Sequence, residues 1–440
     1  MAERVRFGHS MIEHKMKKTN RFKLGLLVSL AGLASAGLPA TGKDWPQFRG
    51  PNLDGKSTET GIIKNWEEKA PELLWMGEGM GSGYAAVAVV GDRIYTTGDL
   101  KDGQGVVALN AKDGKVEWTT VLTEGAPKHG FEGSRCTPTV VGDHLWVTTS
   151  NGTIACLTTA GKVVWTKNFE KEWGGKMMSG WGYAESVLVD GDRAVCTPGG
   201  ADAMMVALDK ATGKELWKSK APEFGSKGKD GAGYSSVVIS MAAGVKQYVQ
   251  MTGRGVIGVR AADGKFLWGY NNSANSTANI SSPVIAGDFV FSSSAYGAGA
   301  GLVKLAKDGD GVKAEEVYFL KADELQNHHG GMILLDGYIY CGHKQNGGDP
   351  KCVELKTGKM MWGKVKAPGK GSAAVTYVDG HLILRYQDGL VVLVEATPKE
   401  FRIKGSFTPK FQEKESWAYP VVSGGRLYLR EQDKMMCYQL

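Results

Sequence analysis

Ala207-Leu208-Asp209-Lys210-Ala211-Thr212-Gly213-Lys214-Glu215-Leu216-Trp217 reads as a short apolar strand, a glycine turn and a second strand ending on tryptophan. Its tail, Gly-Lys-x-x-Trp, stands at five places: Gly114 to Trp118, Gly161 to Trp165, Gly213 to Trp217, Gly264 to Trp268 and Gly358 to Trp362. These tryptophans lie 47, 52, 51 and 94 residues apart, the last interval covering two periods with a degenerate copy between. Ten residues before each stands a small residue: Ala108, Ala155, Ala207, Gly258 and Cys352. The turn glycine supplies the positive φ that a tight hairpin demands. A tryptophan at a strand end needs apolar surface to cover it, and the small residues leave room. Trp118, Trp165, Trp217, Trp268 and Trp362 are therefore assigned to structural docking.

A second series of turns carries Gly91, Gly142, Gly191, Gly244, Gly287, Gly337, Gly380 and Gly424, spaced by 43 to 53 residues. Eight units with two hairpins each give eight four-stranded blades, the period and strand count of a β-propeller. Two copies are degenerate. One has an enlarged turn at Lys307-Asp308-Gly309-Asp310-Gly311 with Tyr318-Phe319 near the tryptophan position; the other has Pro398 and Phe401 in place of glycine and tryptophan. The last unit has only three candidate strands, while Glu72-Leu73-Leu74-Trp75 is an orphan strand at the start. Adding it to the C-terminal blade closes the ring and removes exposed sheet edges, which predicts a monomeric propeller. The fold class is all-β: an eight-bladed β-propeller of four-stranded antiparallel blades over 72–440. Residues 37–71 are read as an arm outside it, with Trp45 and Phe48 packed on the propeller wall.

Composition agrees with one large globular body: 42% hydrophobic residues, 22% charged, and 62 glycines spread without collagen periodicity. Seven basic and two acidic residues precede residue 37, so five of the seven net positive charges belong to the leader. The near-neutral remainder has no footprint for nucleic acid. Lys17, Lys18, Arg21 and Lys23, the apolar run 24–33 and Ala34-Ser35-Ala36 form a secretory signal peptide over 1–36, with Met16 as a candidate start. No stretch is long enough to span a membrane, so an exported protein of the periplasm or extracellular space is expected. Of six cysteines, only Cys341 and Cys352 flank one hairpin and suggest a disulfide to test.

The repeat at 207–217 resembles the tryptophan-docking repeat of quinoprotein (PQQ-type) β-propellers. The eight-bladed single-domain size is similar to the PQQ-like repeat proteins grouped with BamB, a component of outer-membrane protein assembly. Asp44-Trp45-Pro46-Gln47-Phe48-Arg49-Gly50-Pro51 resembles secreted planctomycete PQQ-like proteins. The resemblance implies either an envelope binding or scaffold protein, or a PQQ- and calcium-dependent oxidoreductase acting on alcohols or sugars. Against the second stand the missing adjacent-cysteine pair and the missing C-x-x-C-H haem motif.

In a propeller, the loop leading into the innermost strand of each blade rims the central channel. On that topology Tyr84, Arg135, Tyr183, Glu185, Tyr234, Asn279, His328, His329 and Tyr419 are expected at one mouth, where an envelope protein or small ligand would bind. His329, Glu185 and Arg135 are the candidates for catalysis, should there be any; Arg135 and Glu185 would otherwise neutralise each other across the channel. Adjacent histidines in extended chain point to opposite sides, so His328 and His329 are not expected to share an ion, and no metal site is assigned.

Overall fold

A computed structural model describes residues 44–221 and 223–440. The signal peptide expected over 1–36 lies outside the described residues. Eight antiparallel sheets form at 88–121, 139–168, 188–219, 238–270, 284–320, 332–354, 373–407 and 421–439, here called blades 1 to 8. Within each, strands pair in chain order, and the eighth takes Leu73–Glu78 onto its Lys434–Gln439 edge, with Trp75 opposite Cys437. Eight apolar clusters each join two neighbouring blades, including blade 8 to blade 1, so the sheets form a closed ring. The third strands are covered on both faces and read as unbroken apolar runs, such as Val106, Val107, Ala108 and Leu109.

The repeated tryptophan explains the repeated glycine. Trp165 lies over Gly213 of the next blade, and Trp217 over Gly264. A β-carbon built on those glycines would come within 2.7 and 2.5 Å of the indole. Each indole Nε1 donates to a carbonyl of the same turn, Trp165 to Lys210 (3.0 Å) and Trp217 to Ala261 (3.2 Å). Trp118 does the same over Gly161, donating to Thr159. The turn glycine therefore answers two demands, a φ near +70° and a flat face for the neighbour. The small residues have another role. Ala108, Ala207 and Gly258 are cross-strand partners of their own blade's tryptophan, so the receiving surface is the next blade's glycine. In blade 2 that partner is Cys156 rather than Ala155, because the turn is one residue shorter.

Departures fall where the repeat degenerates. Trp268 faces the enlarged turn, which offers no such glycine, and donates instead to Gln247 Oε1 of its own blade (2.6 Å). Tyr318 takes the docking role over Gly358, its hydroxyl donating to Leu355 O (2.7 Å). Blade 6 has three strands; its expected fourth is reduced to a single bridge between Val353 and Met360. Trp362 still docks, donating to Thr397 O (2.9 Å) and meeting Phe401 edge-on. Blade 7 has Gly405 on its outer strand, and Trp66 of the N-terminal arm, 2% exposed, fills the space above it. Phe401 is thus not the docking substitute there. All six cysteines are free and buried. Cys341 faces Lys351 and Cys352 faces Tyr340 across the same two strands, which places the two thiols on opposite faces of the sheet.

The N-terminal arm is not confined to the outside. Trp45 exchanges backbone hydrogen bonds with Val89, Pro46 O accepts from Val140 N, and Ser57 N donates to Tyr377 O. Arg49 donates to the carbonyls of Leu53, Asp54 and Met332. Val89, Val140, Met332 and Tyr377 belong to innermost strands of four blades. Residues 45–57 therefore cross the central channel, satisfying their backbone on its wall.

Candidate functional site

The loops leading into the innermost strands are sewn together by a serine ladder. Thr137 N donates to Ser186 Oγ, Ser186 N to Ser236 Oγ, and Ser236 N to Ser282 Oγ, at 3.0, 3.0 and 3.2 Å. Tyr84 N and Tyr234 N bond across blades to Ser134 O and Asn279 O (both 2.7 Å). Each loop is thereby fixed to its neighbour, and the side chains above the ladder are held round a cavity of about 370 Å³.

Six residues expected at the mouth line this cavity: Tyr84, Arg135, Tyr234, His328, His329 and Tyr419. Three do not. Tyr183 is buried against Phe169 and donates to Pro198 O (2.9 Å). Glu185 lies in the protein interior, accepting from Thr197 N and Oγ1 and from Gln250 Nε2. Burial pushes its carboxyl up to about 8 despite the Thr197 hydrogen bonds. It makes no pair with Arg135. Asn279 is fully buried and holds Thr252 O, Gly253 O and the Asn275 turn. Asn279, a short polar side chain, reaches nearby backbone before it reaches the channel, whereas Tyr183 is drawn to Phe169 and Pro198 and Glu185 to Thr197 and Gln250.

Sequence reasoning missed Phe48, Phe131, Trp181, Tyr296 and Trp417, the aromatic rings that join the six expected residues on a wall also lined by small and polar residues such as Ser236, Ser282, Gln345 and Asn346. Trp181 and Trp417 stand in the same loops as assigned residues and were legible there. Phe131 sits in the connection between blades 1 and 2, Tyr296 in a strand turn and Phe48 in the arm, where no repeat marks them. Trp417 is the hub, with ring centroids of Tyr84, His329 and Phe131 at 4.8, 4.9 and 5.0 Å. Phe131 is 51% exposed at the opening. Phe48 meets Tyr419 edge-on at 5.1 Å from the channel side.

The polar groups are mostly committed. Arg135 Nη1 donates to Trp181 O (2.9 Å), and Nη2 to Gly130 O (3.1 Å) and Phe131 O; its guanidinium lies 5.5 Å from the Tyr84 ring centre. It works as a clip that fixes the 130–133 loop and as a cation on an aromatic face. His328 Nδ1 lies 2.8 Å from Ser372 Oγ and Nε2 2.8 Å from the Tyr296 hydroxyl. Both rings of the His328–His329 pair line the cavity, 4.2 Å apart, because the chain bends at His329 rather than running extended. Burial pushes His328 down to about 4 and His329 well below the usual imidazole range, the latter aided by His328 and Arg135. Both are neutral at pH 7. His329 Nε2 is buried without a hydrogen-bond partner. Arg135 is thus the one formal charge on the cavity wall.

This donor set does not fit PQQ with calcium. A polycarboxylated quinone needs several free cationic or N–H donors, whereas the terminal nitrogens of the single cation here already serve loop carbonyls. Among the described residues, no three His, Cys, Asp or Glu side chains gather to hold an ion. What the cavity offers is flat apolar surface with a few fixed dipoles, suited to an uncharged aromatic or apolar group.

Comparison with known proteins agrees with the fold. The quinohemoprotein alcohol dehydrogenase of Comamonas testosteroni superposes with a TM-score of 0.62 at 13% identity, over 91% of this chain and 81% of that one. A europium-containing methanol dehydrogenase gives 0.59 at 13%, over 89% and 90%. The computationally designed Ika8 protein gives 0.58 at 11%, over 84% and 100%. At such identities the likeness is one of fold alone. No curated protein matches the sequence. A family profile described as outer membrane protein assembly factor BamB matches residues 126–364, more than half of the chain. The chain therefore belongs to this family of PQQ-like repeat propellers.

Proposed function

We propose that this is an exported binding or scaffold propeller of the cell envelope, whose mouth cavity receives an uncharged aromatic or apolar group of a protein partner or small ligand. One observation carries this: the cavity is walled by aromatic rings, its histidines are neutral, and its only charge is spent on the protein's own backbone. Such a site holds a ligand by burial and ring contact, and among the described residues His329 Nε2 is the one buried side-chain polar atom on its wall without a hydrogen-bond partner. His329, Glu185 and Arg135 do not converge as a catalytic group: Glu185 is enclosed elsewhere, and Arg135 is a loop clip. The family's described role in outer-membrane protein assembly supports an envelope partner for this chain too.

The second reading is a PQQ- and calcium-dependent oxidoreductase acting on alcohols or sugars. The fold shared with two dehydrogenases favours it; the donor set speaks against it. Thermal melts of residues 37–440 separate the two. With 4-propylphenol as a probe of the cavity, the first reading expects a saturable rise, worth about 2.7 kcal/mol at a hundred times the dissociation constant. No rise is expected with PQQ and Ca²⁺. A saturable rise that needs PQQ and Ca²⁺ together, with no response to the phenol, would overturn the binding reading in favour of the oxidoreductase.

A further inference from the structure

The mouth cavity does not stand alone. A second, of about 420 Å³, is lined by Leu188, Val238, Val284 and Met332 of four innermost strands and by arm residues Arg49 and Lys56. The same chain segments pass from one cavity to the other within a few residues. Ala184, Ser236, Ser282 and His329 line the first; Leu188, Val238, Val284 and Met332 line the second. The two cavities are therefore successive parts of one central channel. What stands between them is the arm. Phe48 lines the mouth cavity, while its neighbours Gln47 and Arg49 line the other.

We propose that the N-terminal arm is the floor of the ligand site, with Phe48 setting how deep an apolar ligand can reach. This rests on the reading of the mouth cavity as a binding site. Phe48 meets Tyr419 edge-on at 5.1 Å, and the Tyr419 hydroxyl donates to His329 O (2.8 Å). Arg49 donates to Met332 O, just beyond His329 in the chain. A β-carbon on Gly331 would strike both Arg49 Nη1 and the Tyr419 hydroxyl, so the arm and the His329 loop are packed with no slack. The arm thus forms the floor and also touches the segment that carries His329, whose Nε2 has no hydrogen-bond partner. A ligand resting on Phe48 binds the arm-docked state better than the undocked one, and by linkage ligand binding tightens the arm.

The test is a chain-length series of 4-alkylphenols, from methyl to heptyl, titrated by calorimetry into residues 37–440 and into Phe48→Ala. Each methylene buried should raise affinity about fourfold. In the wild type the rise should stop at the length that meets Phe48. In Phe48→Ala it should continue for at least one further methylene, as the chain enters the space leading to the second cavity. A break at the same length in both proteins would overturn the role of Phe48 while leaving the mouth site standing. Failure of every alkylphenol to bind either protein would overturn the mouth site and this inference with it. If Phe48→Ala does not fold, Phe48→Leu takes the same series, and hydrogen exchange of the wild type serves as a second readout. Saturating 4-propylphenol should slow exchange of the Trp45 and Ser57 amides, which hold the arm; unchanged exchange at both would contradict the coupling.

Discussion

At the residue scale, the chain places ordinary groups under unusual demands. Gly264 must hold a φ of +75° and also lie beneath Trp217, whereas Gly91 holds a φ of +57° and leaves open space where a β-carbon would stand. Gly91→Ala should cost only the left-handed penalty, about 1 kcal/mol. Gly264→Ala adds displacement of an indole and should cost roughly 2–3 kcal/mol; urea denaturation of both variants measures the difference. The turn itself was legible in the sequence, since Gly-Lys-x-x-Trp marks a hairpin. Its second demand was not, because the partner tryptophan comes from the preceding blade. The titrating groups pull stability in opposite directions. His328 has a folded pKa of about 4, below its unfolded value, so the unfolded chain binds the extra proton between pH 6.5 and 4. Its contribution is fully present above pH 6.5 and is lost on acidification, by about 3 kcal/mol at most. Glu185 is raised to about 8. Its contribution is present below about pH 4.5 and is lost as pH rises through 8. Glu185→Gln should therefore raise the melting temperature at pH 8 more than at pH 5. An equal effect at both would show that Glu185 titrates normally.

At the element scale, the blade is a unit that leans on its neighbour through one aromatic side chain. The five repeats made this readable. Where the motif decays, the structure improvises in ways no repeat announces: Trp268 turns to Gln247, Tyr318 serves as a tryptophan, and Trp66 arrives from the arm. Blade 6 shows why a motif alone does not make a strand. Trp362 keeps its docking contact, yet Gly363, Pro368, Gly369 and Gly371 follow it, and such a segment neither fills a ladder with N–H donors nor favours extended chain. Trp66→Ala should cost as much as removing a blade's own docking residue, about 3–5 kcal/mol, like Trp217→Ala. Matched denaturation curves of the two variants would check this. A loss below about 1 kcal/mol for Trp66→Ala would mean that the arm merely rests on blade 7. The site divides along the same line. Tyr84, Arg135, Tyr234, His328, His329 and Tyr419 were legible because the repeat placed their loops at one mouth. Tyr183, Glu185 and Asn279 sat in the same loops, but their direction depended on local hydrogen bonds that periodicity does not encode.

At the scale of the whole molecule, the ring is closed by Leu73–Glu78 and locked at the seam by buried charge. Arg385 of blade 7 pairs with Glu431 of blade 8 at 2.9 Å, with side chains 0% and 1% exposed. Arg430 of blade 8 reaches Thr96 Oγ1 and Thr97 O of blade 1. Breaking such a buried pair costs about 3–5 kcal/mol. A chain starting at residue 79 loses the closing strand and bares the edge of Lys434–Gln439, so it should aggregate and lose its single cooperative melt. A chain starting at residue 37 should melt as one unit. Closure was legible from counting strands, whereas the arm's path through the channel was not, since nothing in Trp45 to Ser57 distinguishes a channel floor from an outer wall. The claim on which the functional account rests is that the aromatic mouth cavity is where this protein binds. Calorimetric titration of 4-propylphenol into the wild type and Trp417→Ala, both folded by circular dichroism, tests it most directly. The account predicts saturable binding at one equivalent to the wild type, weakened about tenfold or more in the variant, which lacks the ring that three others meet. Equal affinity in the two proteins would contradict it.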